Sequence, residues 1–174
     1  MTPTTTFLTD HEWQPLADVL RAELQEYGGL FNLLGSQQDR IMARRNDDVL
    51  SLNEEIEAQT NTVSELRARR EAMVRELGER VQAARPDRMR DLIPHFPEVA
   101  RPLAEALITD INHMVRRIRQ KARQNHLLLS RAMELTEETL RMLQPENFTR
   151  TYERTGKVAR GRRPAIANRY QAVG

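Results

Sequence analysis

Residues 42–77, MARRNDDVLSLNEEIEAQTNTVSELRARREAMVREL, decide the fold. Their apolar residues fall on two interleaved series, each with a step of seven. Met42, Val49, Ile56, Val63 and Leu77 share one series with Arg70, and Leu52, Leu66 and Met73 share the other with Gln59. A seven-residue double series is the seam of a coiled coil, where each apolar side chain inserts between four residues of a facing helix. Gln59 and Arg70 interrupt it, and each calls for a polar partner across the seam or for local looseness.

Upstream, Leu16, Val19, Leu20, Leu24, Tyr27, Leu30, Phe31 and Leu34 keep 3,4 spacing and predict a helix over about 10–34. Two starts compete for it: Thr9 with Glu12 has capping-box spacing, whereas Pro15 is best tolerated in a first turn. Residues 1–8 are Thr-rich and expected to be loose, and Gly28, Gly29 and Gly35 predict a kink or break near 28–36. Downstream the helix should fray around Ala84, ahead of Pro86, Pro94, Pro97 and Pro102. A second long helix then carries Leu107, Met114, Lys121, Leu128, Leu135 and Met142 on one series and Ile111, Ile118, Asn125, Ala132 and Thr139 on the other, with Pro145 as its stop. At 1.5 Å per residue, segments 36–83 and 100–143 would each be about 65–70 Å long. Two matched helices around a proline-rich connection predict an all-α, elongated antiparallel helical hairpin or coiled coil, with the N-terminal helix as a third member.

Composition agrees with that reading. Apolar residues make up 39% and charged residues 30% of the 174, thin for a globule but suited to long helices, and strand formers are scarce. Without cysteine there are no disulfides, zinc fingers or thiol chemistry, which fits a reducing cytoplasm. The N-terminus has no basic-then-apolar leader, and no segment has the roughly 18 apolar residues of a membrane span, so no membrane insertion is expected. From Arg150 onward seven Lys or Arg face only Glu153, a net +6, while residues 1–149 carry −4. The expected organisation is a helical domain at 1–149 and a disordered, flexible basic tail at 150–174.

Chemistry finds little support. His11, His95, His113 and His126 lie far apart, and Asp110-x-x-His113 is a single fragment of a di-iron pattern that needs two Glu-x-x-His and two further Glu. Gly28-Gly29 lacks the Gly-Lys-Ser/Thr of a phosphate loop. Glu54, Glu55 and Glu57, like Glu137 and Glu138, point to different sides of a helix with nothing to enclose them. We therefore expect no enzyme, no metal and no cofactor. The tail's cations raise a nucleic-acid reading, but the cluster is short, interleaved only with Tyr170, and attached to an acidic body.

Leu127, Leu128 and Leu129 are consecutive, and Met133, Leu135, Leu140, Met142 and Leu143 follow. Three consecutive leucines cannot face one seam. Either a third helix covers the surplus or the surplus forms a groove for a partner's amphipathic helix, a role that flexible Met side chains suit.

Leu20-x-x-Glu23 and Tyr27-x-x-Leu30, then Val49, Leu50 and Leu52 ahead of NEEIEAQ, the LRARREAMVREL run, and NHLLLSRAMEL followed by Thr151-Tyr152 and Gly156 together resemble the FlgN family of flagellar export chaperones. The last block is the most specific. The chain departs in having Ala122 where a pair of asparagines three apart is typical, keeping only Asn125, and in a longer basic tail. The resemblance implies a cytoplasmic helical chaperone that binds the C-terminal helices of hook–filament junction (hook-associated) proteins. It would prevent their premature assembly and deliver them to the flagellar type III export gate. Leu128, Met133, Leu135 and Met142 would face the cargo, and Tyr152 would contact the gate. The rival is a coiled-coil scaffold or nucleic-acid-associated protein acting through its tail, whose affinity would fall steeply with salt.

Overall fold

Helix α1 (Asp10–Met42) starts at Thr9. The Glu12 carboxylate reaches back to accept the Thr9 backbone N–H at 2.6 Å and the Thr9 hydroxyl at 2.8 Å, and the Thr9 carbonyl accepts the Glu12 N–H. That hydrogen bonding, led by the Thr9 backbone, holds the Glu12 carboxyl below its ordinary value. Pro15 accordingly lies inside the helix, with its ring on the exposed side. The computed structural model describes residues 7–143. Leu8 departs from the looseness expected of 1–8, its side chain buried and its N–H donating to the His95 carbonyl at 2.8 Å, while residues 1–6 lie outside the described residues. The expected break at 28–36 is also absent, and α1 runs through all three glycines. Each glycine costs a helix about 1 kcal/mol, but Tyr27, Leu30, Leu34 and Ile41 are buried around them, and each buried side chain returns roughly 1.5–3 kcal/mol.

Helix α2 (Asn46–Arg80) follows after a three-residue turn. Arg44 adopts φ 56°, and the Arg45 N–H closes back on the Arg40 carbonyl at 3.0 Å. A left-handed residue with that closure ends a helix sharply. α2 then runs antiparallel to α1: Arg40 donates to the Asp48 carbonyl, Gln37 to Asn53, Gln59 to the Glu26 carbonyl and side chain, Arg70 to Glu23, and Arg80 pairs with Glu12. The expected seam is the buried side of this helix. Val49, Leu52, Val63 and Leu77 are buried, and Ile56, Gln59, Leu66, Arg70 and Met73 are half-buried. Met42 is the exception, exposed at the end of α1, because the turn falls after it.

Both polar lapses meet polar partners. Arg70 Nε lies 2.7 Å from Glu23 Oε2, and the Glu23 carboxylate is wholly buried. Burial, followed by the charge of Glu23, pushes the neighbouring Tyr27 hydroxyl up. A buried pair of this kind adds little over an apolar pair of similar shape, but losing one member strands the other's charge.

The connection caps this end of the bundle. Pro86 lies against Gly78, where an added Cβ would sit 2.6 Å from the Pro86 Cα. The short helix α3 (Met89–Leu92) and a 3-10 turn at Ile93–His95 bury Leu92 and Phe96 against the start of α1, with the Trp13 and Phe96 ring centres 5.9 Å apart. Arg101 holds the turn by donating to the Phe96 and Pro94 carbonyls at 3.0 and 2.9 Å.

Helix α4 (Arg101–Leu143) enters the same core through Ala104, Leu107 and Ile111. Farther along, the Arg117 guanidinium lies 4.2 Å from the Phe31 ring centre, Lys121 donates to Gln38 Oε1 at 2.7 Å, and Asn125 donates to the Leu34 carbonyl and to Gln37 Oε1, both at 2.7 Å. Partner numbers rise together, so α4 runs parallel to α1 and antiparallel to α2. Asn53, Gln37 and Asn125 form one polar layer across the three helices. This is the expected three-helix, all-α arrangement, with the short turn placed between α1 and α2. Contacts divide the chain into two units at Arg131/Ala132. The expected tail at 150–174, with Thr151, Tyr152 and Gly156, lies outside the described residues.

Candidate functional site

The described part of the second unit is 132–143, the last turns of α4, and every one of these residues is exposed. At about 100° per residue, Ala132, Thr136, Thr139 and Leu143 form one line along the helix. Met133 and Leu140 flank it on one side, and Leu135 and Met142 on the other. Glu134, Glu137, Glu138 and Arg141 occupy the opposite face, with Arg141 lying 3.5 Å from Glu137. The Thr136 and Thr139 hydroxyls donate at 2.8 Å to the Ala132 and Leu135 carbonyls, so their polar atoms are engaged by the helix backbone. The surface left is a shallow trough of three small side chains, Ala132, Thr136 and Thr139, closed by Leu143 and lying between two ridges of Met and Leu.

Exposure gives that surface its meaning. Met133 is 65%, Leu135 60% and Met142 73% exposed. A solvated helix has no reason to carry so continuous an apolar arc unless something covers it. Fully burying one such side chain is worth roughly 1.5–3 kcal/mol, so covering four or five gives a gross drive of about 6–15 kcal/mol, the same order as the roughly 4–15 kcal/mol that association costs.

Of the four residues expected to face cargo, Met133, Leu135 and Met142 share this surface. Leu128, the fourth, is half-buried and lies in the first unit. Contact register explains its position, since pairing Asn125 with Gln37 brings α1 to its end at Met42 near residue 130. Of the three consecutive leucines, Leu127 is exposed and Leu128 and Leu129 are half-buried, so part of the surplus is covered and part is left. Tyr152, the expected gate contact, lies outside the described residues. Leu140 and Leu143 complete the ridges and the trough, although they fall off the seven-residue seam.

Among the described residues no three His, Asp or Glu side chains gather as a metal site, and no helix is long and apolar enough to cross a membrane. The shallow groove between α1 and α2, lined by Gly29, Asn32, Leu33 and Ser36 against Glu55, Ala58, Gln59 and Thr62, offers a single carboxylate. That groove presents no acid–base pair among its lining residues.

A family model described as FlgN protein matches residues 13–160, a span that includes nearly all of α1 and the whole of α2, α3 and α4. No curated protein and no solved structure matches the chain.

Proposed function

This chain belongs to the FlgN family of flagellar export chaperones, and from that premise we propose that it captures the C-terminal helices of hook–filament junction proteins on the apolar surface at 132–143. The observation that carries the proposal is the continuous exposure of Met133, Leu135, Leu140, Met142 and Leu143 around a trough of small residues. An unassembled subunit exposes an apolar helix of its own. Laying that helix in the trough hides both surfaces, delays assembly and leaves the complex reversible without nucleotide. Delivery to the export gate, with Tyr152 as the contact, and a cytoplasmic place of action complete the proposed role.

The test uses the full chain and a synthetic C-terminal helix of a junction protein. Apolar capture predicts binding that changes little between low and moderate salt. Leu135→Asp with Met142→Asp should weaken it at least about tenfold while the circular dichroism and melting temperature stay unchanged. Unchanged affinity in that variant would overturn the assignment of the surface, and affinity that falls steeply with salt would favour a charge-driven partner.

A further inference from the structure

In the first unit, α2 and α4 carry opposite and unspent charge. Between Arg45 and Arg67, α2 has six carboxylates and no Lys or Arg; between Asp110 and Glu134, α4 has six Lys or Arg and no carboxylate. The Asn53–Gln37–Asn125 layer places these two segments at the same level of the bundle. The inward-leaning cations of α4 are in use, Arg117 and Lys121 against Phe31 and Gln38. Arg116, Arg119 and Arg123 are exposed and hold no ion pair among the described residues, and the same is true of Glu54 and Glu57 on α2.

These free charges line up. With 3.6 residues per turn, Arg116, Arg119, Arg123 and Leu127 form an exposed strip on α4, turned away from its buried Ile111 and Asn125. On α2, exposed Leu50 with Glu54, Glu57 and Asn61 forms a strip opposite buried Leu52 and Val63. Laid antiparallel, the strips agree position by position. Leu50 meets Leu127, Glu54 meets Arg123, Glu57 meets Arg119, and Asn61 meets Arg116. The parallel alignment of the same leucines would set Glu57 against Glu134. Within one chain the two strips face away from the shared core and cannot meet.

We propose that the outer strip of α4 receives the outer strip of α2 from a second copy of this chain, in antiparallel register. Charge complementarity in register selects this occupant over a nucleic acid, because the α2 strip sets Glu54 and Glu57 on Arg123 and Arg119 and also lays Leu50 on exposed Leu127, an apolar match that a phosphate backbone does not supply. The contact joins unlike patches, so each copy offers one strip of each kind and association grows with concentration unless it closes on itself. Exposed ion pairs are individually weak and screened by salt, which makes the association a low-salt one.

The test is light scattering of the full chain across concentration at about 0.05 and 0.5 M salt. The expected mass rises above the 20.2 kDa of one chain at low salt and returns to it at high salt. Arg116→Glu/Arg119→Glu/Arg123→Glu and Glu54→Arg/Glu57→Arg should each remain single chains, and an equimolar mixture of the two should associate, because reversed charges then face each other. The neutral variant Arg119→Gln/Arg123→Gln reads the same contact without added repulsion and should lower the association constant several-fold. A mass that stays at one chain at low salt overturns the proposal. So does association that survives either reversal, or a mixture that fails to associate. Wild type binding a 20-nucleotide single strand while remaining a single chain, with that binding lost in Arg116→Glu/Arg119→Glu/Arg123→Glu, would overturn the proposal and assign the α4 strip to nucleic acid instead.

Discussion

Leu107 and Leu135 occupy the same position of the same seven-residue series on the same helix, yet the first is buried and the second is 60% exposed. The first has α1 and α2 of its own chain to pack against, while the second belongs to a unit whose described residues are all exposed. A heptad pattern states that a helix wants a partner. It does not state whether that partner comes from the same chain.

Aspartate at each of the two positions breaks this comparison most forcefully. Leu107→Asp should cost more than about 4 kcal/mol, since it loses a core side chain and buries a charge, and thermal denaturation should find the chain largely unfolded. Leu135→Asp should leave the melting curve where it was and weaken cargo binding. Equal losses of stability would erase the distinction between the two regions.

Next in size is the buried pair of the first region. Arg70→Ala strands the Glu23 carboxylate, and urea denaturation should show a loss of about 3–5 kcal/mol, whereas no ion pair in 132–143 should matter by more than a few tenths. Gly78→Ala follows, at about 1–3 kcal/mol, because its methyl group meets the Pro86 backbone and a rigid connection must shift. Arg44→Gly goes the other way. Relieving a left-handed arginine should add roughly 1 kcal/mol to the same denaturation midpoint if the short α1–α2 turn is as described.

The smallest effect is one of pH. Glu12 is held below its ordinary value of 4.5 by its bonds to Thr9, so its contribution is complete above that value and disappears as pH falls through the lowered one. Trp13, the single tryptophan, packs beside this cap against Phe96, and its fluorescence should report the loosening of the α1 start below about pH 4.5. In Glu12→Gln that acid-side change should be absent.

Much of the first region was legible because its signals are local and periodic. The series from Val49 to Leu77 is buried or half-buried throughout, and the interruptions at Gln59 and Arg70 pointed to partners that proved to be Glu26 and Glu23. Three glycines misled in α1, where propensity predicts a break and burial on both sides keeps the helix whole through Met42. Gly78 carried no readable signal, since the Pro86 backbone reaches it only after the connection folds back. For the candidate site, the seam named Met133, Leu135 and Met142 by type and spacing, and all three are exposed. It placed Leu128 among them because the point at which α1 ends is a tertiary fact. The opposed strips of α2 and α4 were visible as charge runs, but their freedom from ion pairs required the packed bundle.

The most direct measurement of the central claim is amide hydrogen exchange across the full chain, with and without a junction-protein C-terminal helix. The account predicts that amides at 132–143 exchange readily in the free chain and become protected in the complex, while those at 104–125 hardly change. Protection confined to 104–125, or none at 132–143 in a complex shown to be saturated, would contradict it.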